Sequence, residues 1–405
     1  MTLISPFRGL RPASGRADEV VAPPYDVLNS DEARERATGR PWSFLHISRA
    51  EIDLPPGTGQ YDPAVYERAA DNLGRMLEEG VLVRDAQPCY YVYRLRMGEH
   101  TQTGLVAAAS IHAYDTNRIR RHEFTRPDKE DDRVRQIEAL NAQTGPVLLA
   151  CKADAAVNAI LAQVTAGAPD VDLVADDGIA HSLWVVQDAR LLNDITRRFD
   201  AMAALYIADG HHRSAAASRV AAQRGIEGDA GVFLTVIFPH DQMLILDYNR
   251  VVRDLCGQSP EVFLARVSER FGVSPSAIPV SPAGPGSFGM YLAGQWYVLT
   301  IAPDHVPADP VGRLDVSVLA DNLLAPLLGI DDPRRDSRID FVGGIRGLQA
   351  LEQRVDSGEM AVAFSMYPTQ MEDLMAVADA GEVMPPKSTW FEPKLADGLV
   401  SLVID

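Results

Sequence analysis

LYIADGHHRSAAASRV, residues 205–220, decides how this chain is read. An apolar run ends in Asp209, Gly210 permits a tight backbone turn, and an Ala-rich stretch of helix-forming composition begins just after His211, His212 and Arg213. The order is that of a strand running into a helix. The first N–H groups of a helix have no intrahelical partner and carry the positive end of its dipole, so such a junction suits an anion. Arg213 adds a forked donor matched to phosphate oxygens. Asp209, at the carboxyl end of the strand, is placed to hold a magnesium ion or to orient a histidine. The plainer alternative is an Asp-Gly turn with surface histidines beside it.

On both sides of this junction strand-like and helix-like segments alternate, which marks an α/β region. GPVLLACKAD (145–154) reads as a strand, AAVNAILAQV (155–164) as a helix, HSLWVVQD (181–188) as a strand and ARLLNDITRRFDAMA (189–203) as a helix. After the junction VFLTVIFP (232–239) and QMLILDYN (242–249) read as further strands. Nearer the start, Asn29 followed by Glu32 has the spacing of a capping box, and Val65, Ala69, Leu73 and Met76 predict a helix over 62–80 that stops at Gly80. CYYVYRLRM (89–97) and TGLVAAASI (103–111) suit a hairpin turning at Gly98. The expected division is an N-terminal α/β domain over 1–105, an α/β core over 106–256 and a C-terminal α/β domain over 257–405, with the Pro/Gly-rich PVSPAGPGSFG (279–289) as a linker or long loop.

A second segment carries chemistry. In RIRRHEFTRPDKEDDRVRQ (118–136) Glu123 follows His122 among Arg118, Arg120, Arg121 and Arg126. A carboxylate near cations stays ionised and can accept the proton of a hydroxyl, and the basic groups could hold a phosphate donor; a solvated charged loop is the competing reading. FVGGIRGLQALEQR (341–354) has a strand–glycine–helix order without the spacing of a dinucleotide fingerprint or a phosphate-binding P-loop. MPPKSTWFEPKL (384–395) reads as an exposed proline loop carrying Lys387, Ser388, Thr389 and Trp390. His46, His112 and His181 lie on apolar stretches and are expected to be hydrogen-bonded core histidines.

Composition narrows the function classes. The 405 residues suffice for two or three domains, and 46% hydrophobic with 23% charged residues is the balance of a folded globular protein. A net charge of −18 works against nucleic acid and anionic membranes as partners. Three scattered cysteines without a Cys-x-x-Cys pair support neither a disulfide framework nor a zinc ribbon. MTLISPFRGLRPASG meets Pro6 and Gly9 before an apolar signal core could form, so a cytoplasmic location is expected.

PFRGLRP, APPYDV, RRHEFTRPDKEDDR, LYIADGHHR, DYNRVVRDL, RIDFVGGIRG and MPPKSTWFEPKL together resemble a large bacterial and archaeal family catalogued as a domain of unknown function, over essentially the whole chain. Residues from about 106 onward are also distantly similar to the free serine kinases, which share the fold of the ParB partition protein and sulfiredoxin. That resemblance implies an α/β (α+β) architecture with a ParB/sulfiredoxin-like core flanked by extra N-terminal and C-terminal α/β domains. The kinase motif Pro-His-Glu falls on Arg121-His122-Glu123, implying Glu123 as the base that activates the acceptor hydroxyl. Its Asp-Gly-His-His-Arg is unchanged as Asp209 to Arg213, implying a cradle for ATP or ADP on Gly210, His211, His212 and Arg213 and for Mg2+ at Asp209. Its Pro-Lys-Thr-Thr-Arg-His loop, which helps hold the amino acid, matches Pro386-Lys387-Ser388-Thr389, but Trp390-Phe391 replace the Arg-His pair. The missing cation implies weak binding of serine or a different, less charged hydroxylated acceptor, or else a carboxylate clamp supplied by Lys387 or the N-terminal domain, while Tyr248 corresponds to an aromatic residue near the acceptor.

Three functions emerge in order of expectation. The first is a magnesium-dependent kinase transferring a phosphoryl group from ATP or ADP to free serine or a related small hydroxylated acceptor. The second is a ParB-like nucleotide-binding switch, for which no helix-turn-helix is found. The third is a metal-dependent hydrolase built on His122, His211, His212 and Asp209.

Overall fold

The computed structural model describes residues 2–225 and 228–404. By backbone proximity the chain forms two compact units, one from the chain up to Met243 and again from Pro393, the other from Leu244–Glu392. Among the described residues no helix is long and apolar enough to cross a membrane.

The first unit is built on a nine-stranded mixed sheet. Its strands are β1 (Ile4–Ser5), β2 (Tyr90–Met97), β3 (His100–Ser110), β4 (Ile119–Arg120), β5 (Val147–Cys151), β6 (Val171–Val174), β7 (Ala180–Val186), β8 (Leu205–Asp209) and β9 (Val232–Pro239). They lie in the order β4-β8-β5-β9-β3-β2-β7-β6, with β1 added beside β3. β2 and β3 form the expected hairpin, with Gly98 at φ 57° in the turn. At Gly104 the backbone of β3 passes so close to β9 that a Cβ would sit 2.6 Å from the Ile237 carbonyl oxygen, which leaves room only for glycine. Five helices matter here: α1 (Pro63–Glu78), α2 (Pro127–Leu140), α3 (Ala155–Val164), α4 (Ala189–Asp200) and α5 (His211–Arg224). The capping box at Asn29 and Glu32 is formed, and α1 presents Val65, Ala69, Leu73 and Met76 to a core that also holds Phe44 and Leu45. The main core lies on the sheet, around Tyr90, Leu105, Leu149, Leu205 and Phe233. A small sheet joins Gly9–Pro12, Leu82–Arg84, Ser401–Val403 and Ala142–Gln143, so the returning segment from Pro393 is woven into the first unit.

The second unit has a six-stranded antiparallel sheet of β10 (Tyr248–Val252), β11 (Phe271–Ser276), β12 (Ser287–Leu292), β13 (Gln295–Ile301), β14 (Ile339–Gly343) and β15 (Val362–Ser365), in the order β11-β13-β12-β15-β10-β14. The class is mixed α/β, as expected.

Several boundaries differ from expectation, each for a physical reason. Residue 105 lies within β3, which pairs on both edges and belongs to the same sheet as β8, so no domain boundary can fall there. The segment 242–249 breaks between Leu244–Leu246 and β10, and the division comes at Met243 rather than 256. PVSPAGPGSFG is internal to the second unit; Val280 is buried there and Gly286 N–H donates to Asp315. His112 is exposed on a short helix, whereas His46 pairs with Asp53 and His181 is buried against Tyr93.

Candidate functional site

Strand direction assembles the site. β8 runs parallel to β4, with Leu205 opposite Ile119 and Tyr206 opposite Arg120. The chain leaving each strand therefore emerges at the same end, and His122-Glu123 arrives beside Asp209-Gly210-His211, far apart though the two segments are in sequence. Gly210 sits at φ 96°, a left-handed conformation that costs glycine least, and α5 starts at His211. His211, His212 and Arg213 thus form the first turn of the helix, where the sequence places them just ahead of it. α5 is fixed from behind by Arg219, which reaches Glu130 and Asp131 of α2.

One small pocket of about 60 Å³ in the first unit is lined by Tyr25, Asp26, Glu123, Asp209, Gly210 and the histidine-arginine turn 211–213. The rings of His122 and His211 meet edge to face with centroids 4.5 Å apart, and Glu123 Oε2 is 3.8 Å from His211 Nδ1. Both rings are buried, and among the described residues His122 Nδ1 and His211 Nε2 have no hydrogen-bond partner. Burial pushes His122 down to about 4, against the opposing pull of Asp209 and of the Ile207 backbone. Burial likewise holds His211 well below its ordinary value, helped by His122, His212, Arg121 and Arg213. Both are neutral at pH 7, the form that binds a metal or takes up a proton. His212 is spent differently: its Nε2 accepts the Arg126 backbone N–H at 3.1 Å.

Arg213 is tied into the protein. Its side chain is 11% exposed; Nη2 pairs with Asp209 Oδ2 at 3.0 Å and Nη1 donates to the Pro146 carbonyl at 2.5 Å. Its guanidinium folds back over the helix start, so that a Cβ on Gly210 would sit 3.0 Å from Nε. Burial opposes its charge, but Asp209, Asp26, Tyr25 and Asp397 together outweigh that and hold it protonated. Burial works against the Asp209 carboxylate too, yet Arg213, Lys394 and the Gly210 N–H together keep its pKa below the usual range. The ion pair fixes the strand-to-helix corner, while the Asp209 side chain remains 46% exposed toward the pocket.

The other basic groups of the charged segment are anchored. Arg118 donates to the Asp200 and Met202 carbonyls, Arg120 lies over the Tyr206 ring, and Arg121 over Tyr114. Arg126 pairs with the exposed Asp128.

Tyr248, Lys387, Ser388, Thr389 and Trp390 belong to the second unit. There Tyr248 and Trp390 meet edge to face at 5.1 Å, and Lys387 Nζ lies 5.6 Å from the Tyr248 ring centre. Only Lys387 of this loop is exposed, which corrects the reading of an exposed loop. Ser388 Oγ donates to the Pro385 carbonyl, its own carbonyl accepts from Thr369, and Trp390 Nε1 donates to Glu392 at 2.7 Å. The backbone wraps the buried Ser388 with its own hydrogen bonds, which a solvated loop would not need.

Sequence reasoning gave no role to Tyr25 and Asp26, although it singled out their motif. It missed Asp397 altogether. The backbone of Asp397 exchanges hydrogen bonds with Ala22, and its carboxylate accepts the Tyr25 N–H at 3.3 Å. The proline pair ahead of Tyr25 was the available signal, since a rigid turn fixes the position of the residues after it.

Among solved structures the chain resembles a free serine kinase in complex with AMP, at 13% identity and a TM-score of 0.35, covering 73% of this chain and 92% of that one. A conserved hypothetical protein from Pyrococcus furiosus matches at 13% identity and 0.34, over 72% and 94%. SbnI from Staphylococcus aureus matches at 11% and 0.37, over 72% and 84%. At these values the likenesses decide nothing about what this chain does. No protein of curated function matches it. The model of the family described as "Protein of unknown function (DUF1015)" matches residues 4–317, and the chain belongs to that family.

Proposed function

We propose that the chain is a phosphotransferase, carrying a phosphoryl group from ATP or ADP to the hydroxyl of a small acceptor. One observation carries the reading: Glu123 and Asp209 to Arg213, from the two segments with chemical character, line one pocket with Asp26, and His122 packs behind it on His211. Phosphoryl transfer asks a protein mainly for positioning and charge neutralisation, and a helix start with a fixed carboxylate supplies both. The N–H groups at the start of α5 receive phosphate oxygens, with Arg213 holding that turn in shape. Glu123 accepts the proton of the acceptor hydroxyl.

A magnesium ion, implied by the resemblance to the kinases, fits the oxygen donors of this pocket: Asp209 and Asp26 would hold it together with phosphate oxygens. When bound it neutralises phosphate charge. Lys394, whose charge acts on Asp209, also lines a larger groove of about 260 Å³ with Pro23, Pro24 and Arg40, the space assigned to the nucleoside. The test is to incubate the purified chain with Mg2+, ATP or ADP and a panel of hydroxylated small molecules, and to look by mass spectrometry for a product heavier by one phosphoryl group. Absence of any such product, with no nucleotide binding by calorimetry, overturns the reading.

A second reading, a metal-dependent hydrolase, is favoured by one feature. The ligand atoms of His122, Glu123 and His211 lie within 4.8 Å of one another, and two neutral imidazoles with a carboxylate suit zinc better than magnesium. Zinc retained at one per chain through purification, with phosphate ester hydrolysis in place of transfer, would select it.

A further inference from the structure

Phosphoryl transfer as proposed leaves the two buried histidines of the site without a task. His122 and His211 are each 3% exposed, and among the described residues His122 Nδ1 and His211 Nε2 are buried with no hydrogen-bond partner. The rings touch edge to face and do not satisfy one another. An unpaired buried polar atom is unfavourable, and two of them on neighbouring rings call for a partner that both can reach.

Glu123 stands beside them as a third donor. It follows His122 in the stretch 121–126, which has no regular structure, so the two side chains are not forced to opposite sides as on a strand. One ligand atom from each of His122, Glu123 and His211 lies within 4.8 Å of the other two. Glu123 Oε2 is 3.8 Å from His211 Nδ1, whereas two ligands held tetrahedrally at about 2.0–2.1 Å from a zinc ion stand about 3.3 Å apart. The difference is about half an ångström, and the Glu123 side chain, 56% exposed, is free to swing through it while packing holds the rings. With three protein donors beside a pocket of about 60 Å³, water completes the coordination.

Donor type separates this place from the oxygen side of the same pocket. Imidazole with one carboxylate suits zinc and its transition-metal neighbours, while Asp209 and Asp26 offer the oxygens that magnesium demands. His212 stays outside the set, because its Nε2 already accepts the Arg126 N–H.

We infer that His122, Glu123 and His211 bind one transition-metal ion of the zinc class, and that this ion inhibits phosphoryl transfer by taking up Glu123. A carboxylate coordinated to the ion cannot accept the proton of the acceptor hydroxyl. The inhibition rests on the phosphotransferase reading; the ion rests on the geometry alone. In the hydrolase reading the same ion would activate water, so the two differ in the sign of its effect.

The full chain, stripped by chelator, is titrated with Co2+ as a coloured substitute for zinc, and its visible absorption is followed. One ion per chain is expected, displaced by Zn2+ and untouched by excess Mg2+. Glu123→Gln alters an exposed side chain and should weaken Co2+ by at least about tenfold, since even outer-shell partners of a metal are worth about 10–100-fold. His122→Gln should do the same, and His212→Gln should leave Co2+ affinity within a few-fold. In the wild-type chain, with free Zn2+ buffered so that the nucleotide stays on magnesium, transfer should fall in step with Zn2+ occupancy and return on chelation. The inference is overturned if no Co2+ binds, if Co2+ binds as tightly to Glu123→Gln, or if transfer is unchanged or faster with Zn2+ bound. Co2+ binding in a chain that transfers no phosphoryl group would keep the ion site and sink the phosphotransferase reading. Transfer by a chain that takes up no Co2+ would do the reverse.

Discussion

His122 and His181 stand in one unit, equally buried, and both are pushed down to about 4, chiefly by burial. Their hydrogen bonds differ. His181 Nδ1 is 2.6 Å from the Tyr93 hydroxyl. His122 leaves Nδ1 without a partner and faces His211, whose Nε2 is also unpaired among the described residues. A depressed histidine pKa therefore reports burial alone, and the unspent nitrogen separates a ring kept for chemistry from one kept for packing.

The largest test of that contrast is Glu123→Gln, which keeps shape beside His211 but cannot take a proton. It should lower kcat for phosphoryl transfer by about 10²–10⁴-fold and leave nucleotide affinity within a few-fold, measured by single-turnover kinetics. Wild-type kcat in the folded variant would leave the unpaired rings without a catalytic neighbour.

Next come two pH windows of opposite sign. Asp397 has its pKa raised by burial, so the native state binds more protons than the unfolded chain between about pH 4 and 7, and stability falls as pH rises through that window. Asp397→Asn should remove about 4 kcal/mol of that dependence in urea titrations. The histidines act the other way. Their lowered pKa values make the unfolded state bind more protons between about pH 4 and 6.5, so acidification through that range destabilises the fold by about 3 kcal/mol for His181 alone. His181→Asn should flatten the acid limb by that share, and an unchanged limb would reject the burial argument.

Arg213→Ala comes third. Were its guanidinium held for a ligand only, stability would not move. The pairs to Asp209 and Pro146 predict a loss of about 2–3 kcal/mol, kept to this range because Asp209 is nearly half exposed and water screens it. Denaturant midpoints without ligand read it directly. The smallest effect is expected in the second unit, where Trp390→Phe keeps the edge contact with Tyr248 but deletes the hydrogen bond to Glu392, costing about 1 kcal/mol.

Local features of the site were legible in the sequence and non-local ones were not. A strand, a glycine able to take positive φ and an Ala-rich helix identify the Asp209 junction from adjacent residues. The arrival of His122 depends on Ile119–Arg120 pairing with Leu205–Tyr206, which no local pattern encodes. Helix onset was placed late because His211 to Arg213 look like loop residues, although Gly210 already caps the helix. The domain boundary at 105 failed for a related reason: composition changes there, but hydrogen bonding does not. Asp397 escaped notice because its partners, Ala22 and Tyr25, lie at the opposite end of the sequence.

That return of the chain has a consequence in time. Residues 244–392 form the second compact unit, inserted between the two segments of the first. During synthesis the sheet holding Asp209 can form while Asp397, Lys394 and the strand Ser401–Val403 are still to be made. At about 5–20 residues per second, translation of the intervening stretch takes on the order of ten seconds. For that interval Arg213 lacks the charge of Asp397 and Asp209 that of Lys394, so the electrostatics of the corner are completed only when the returning segment arrives.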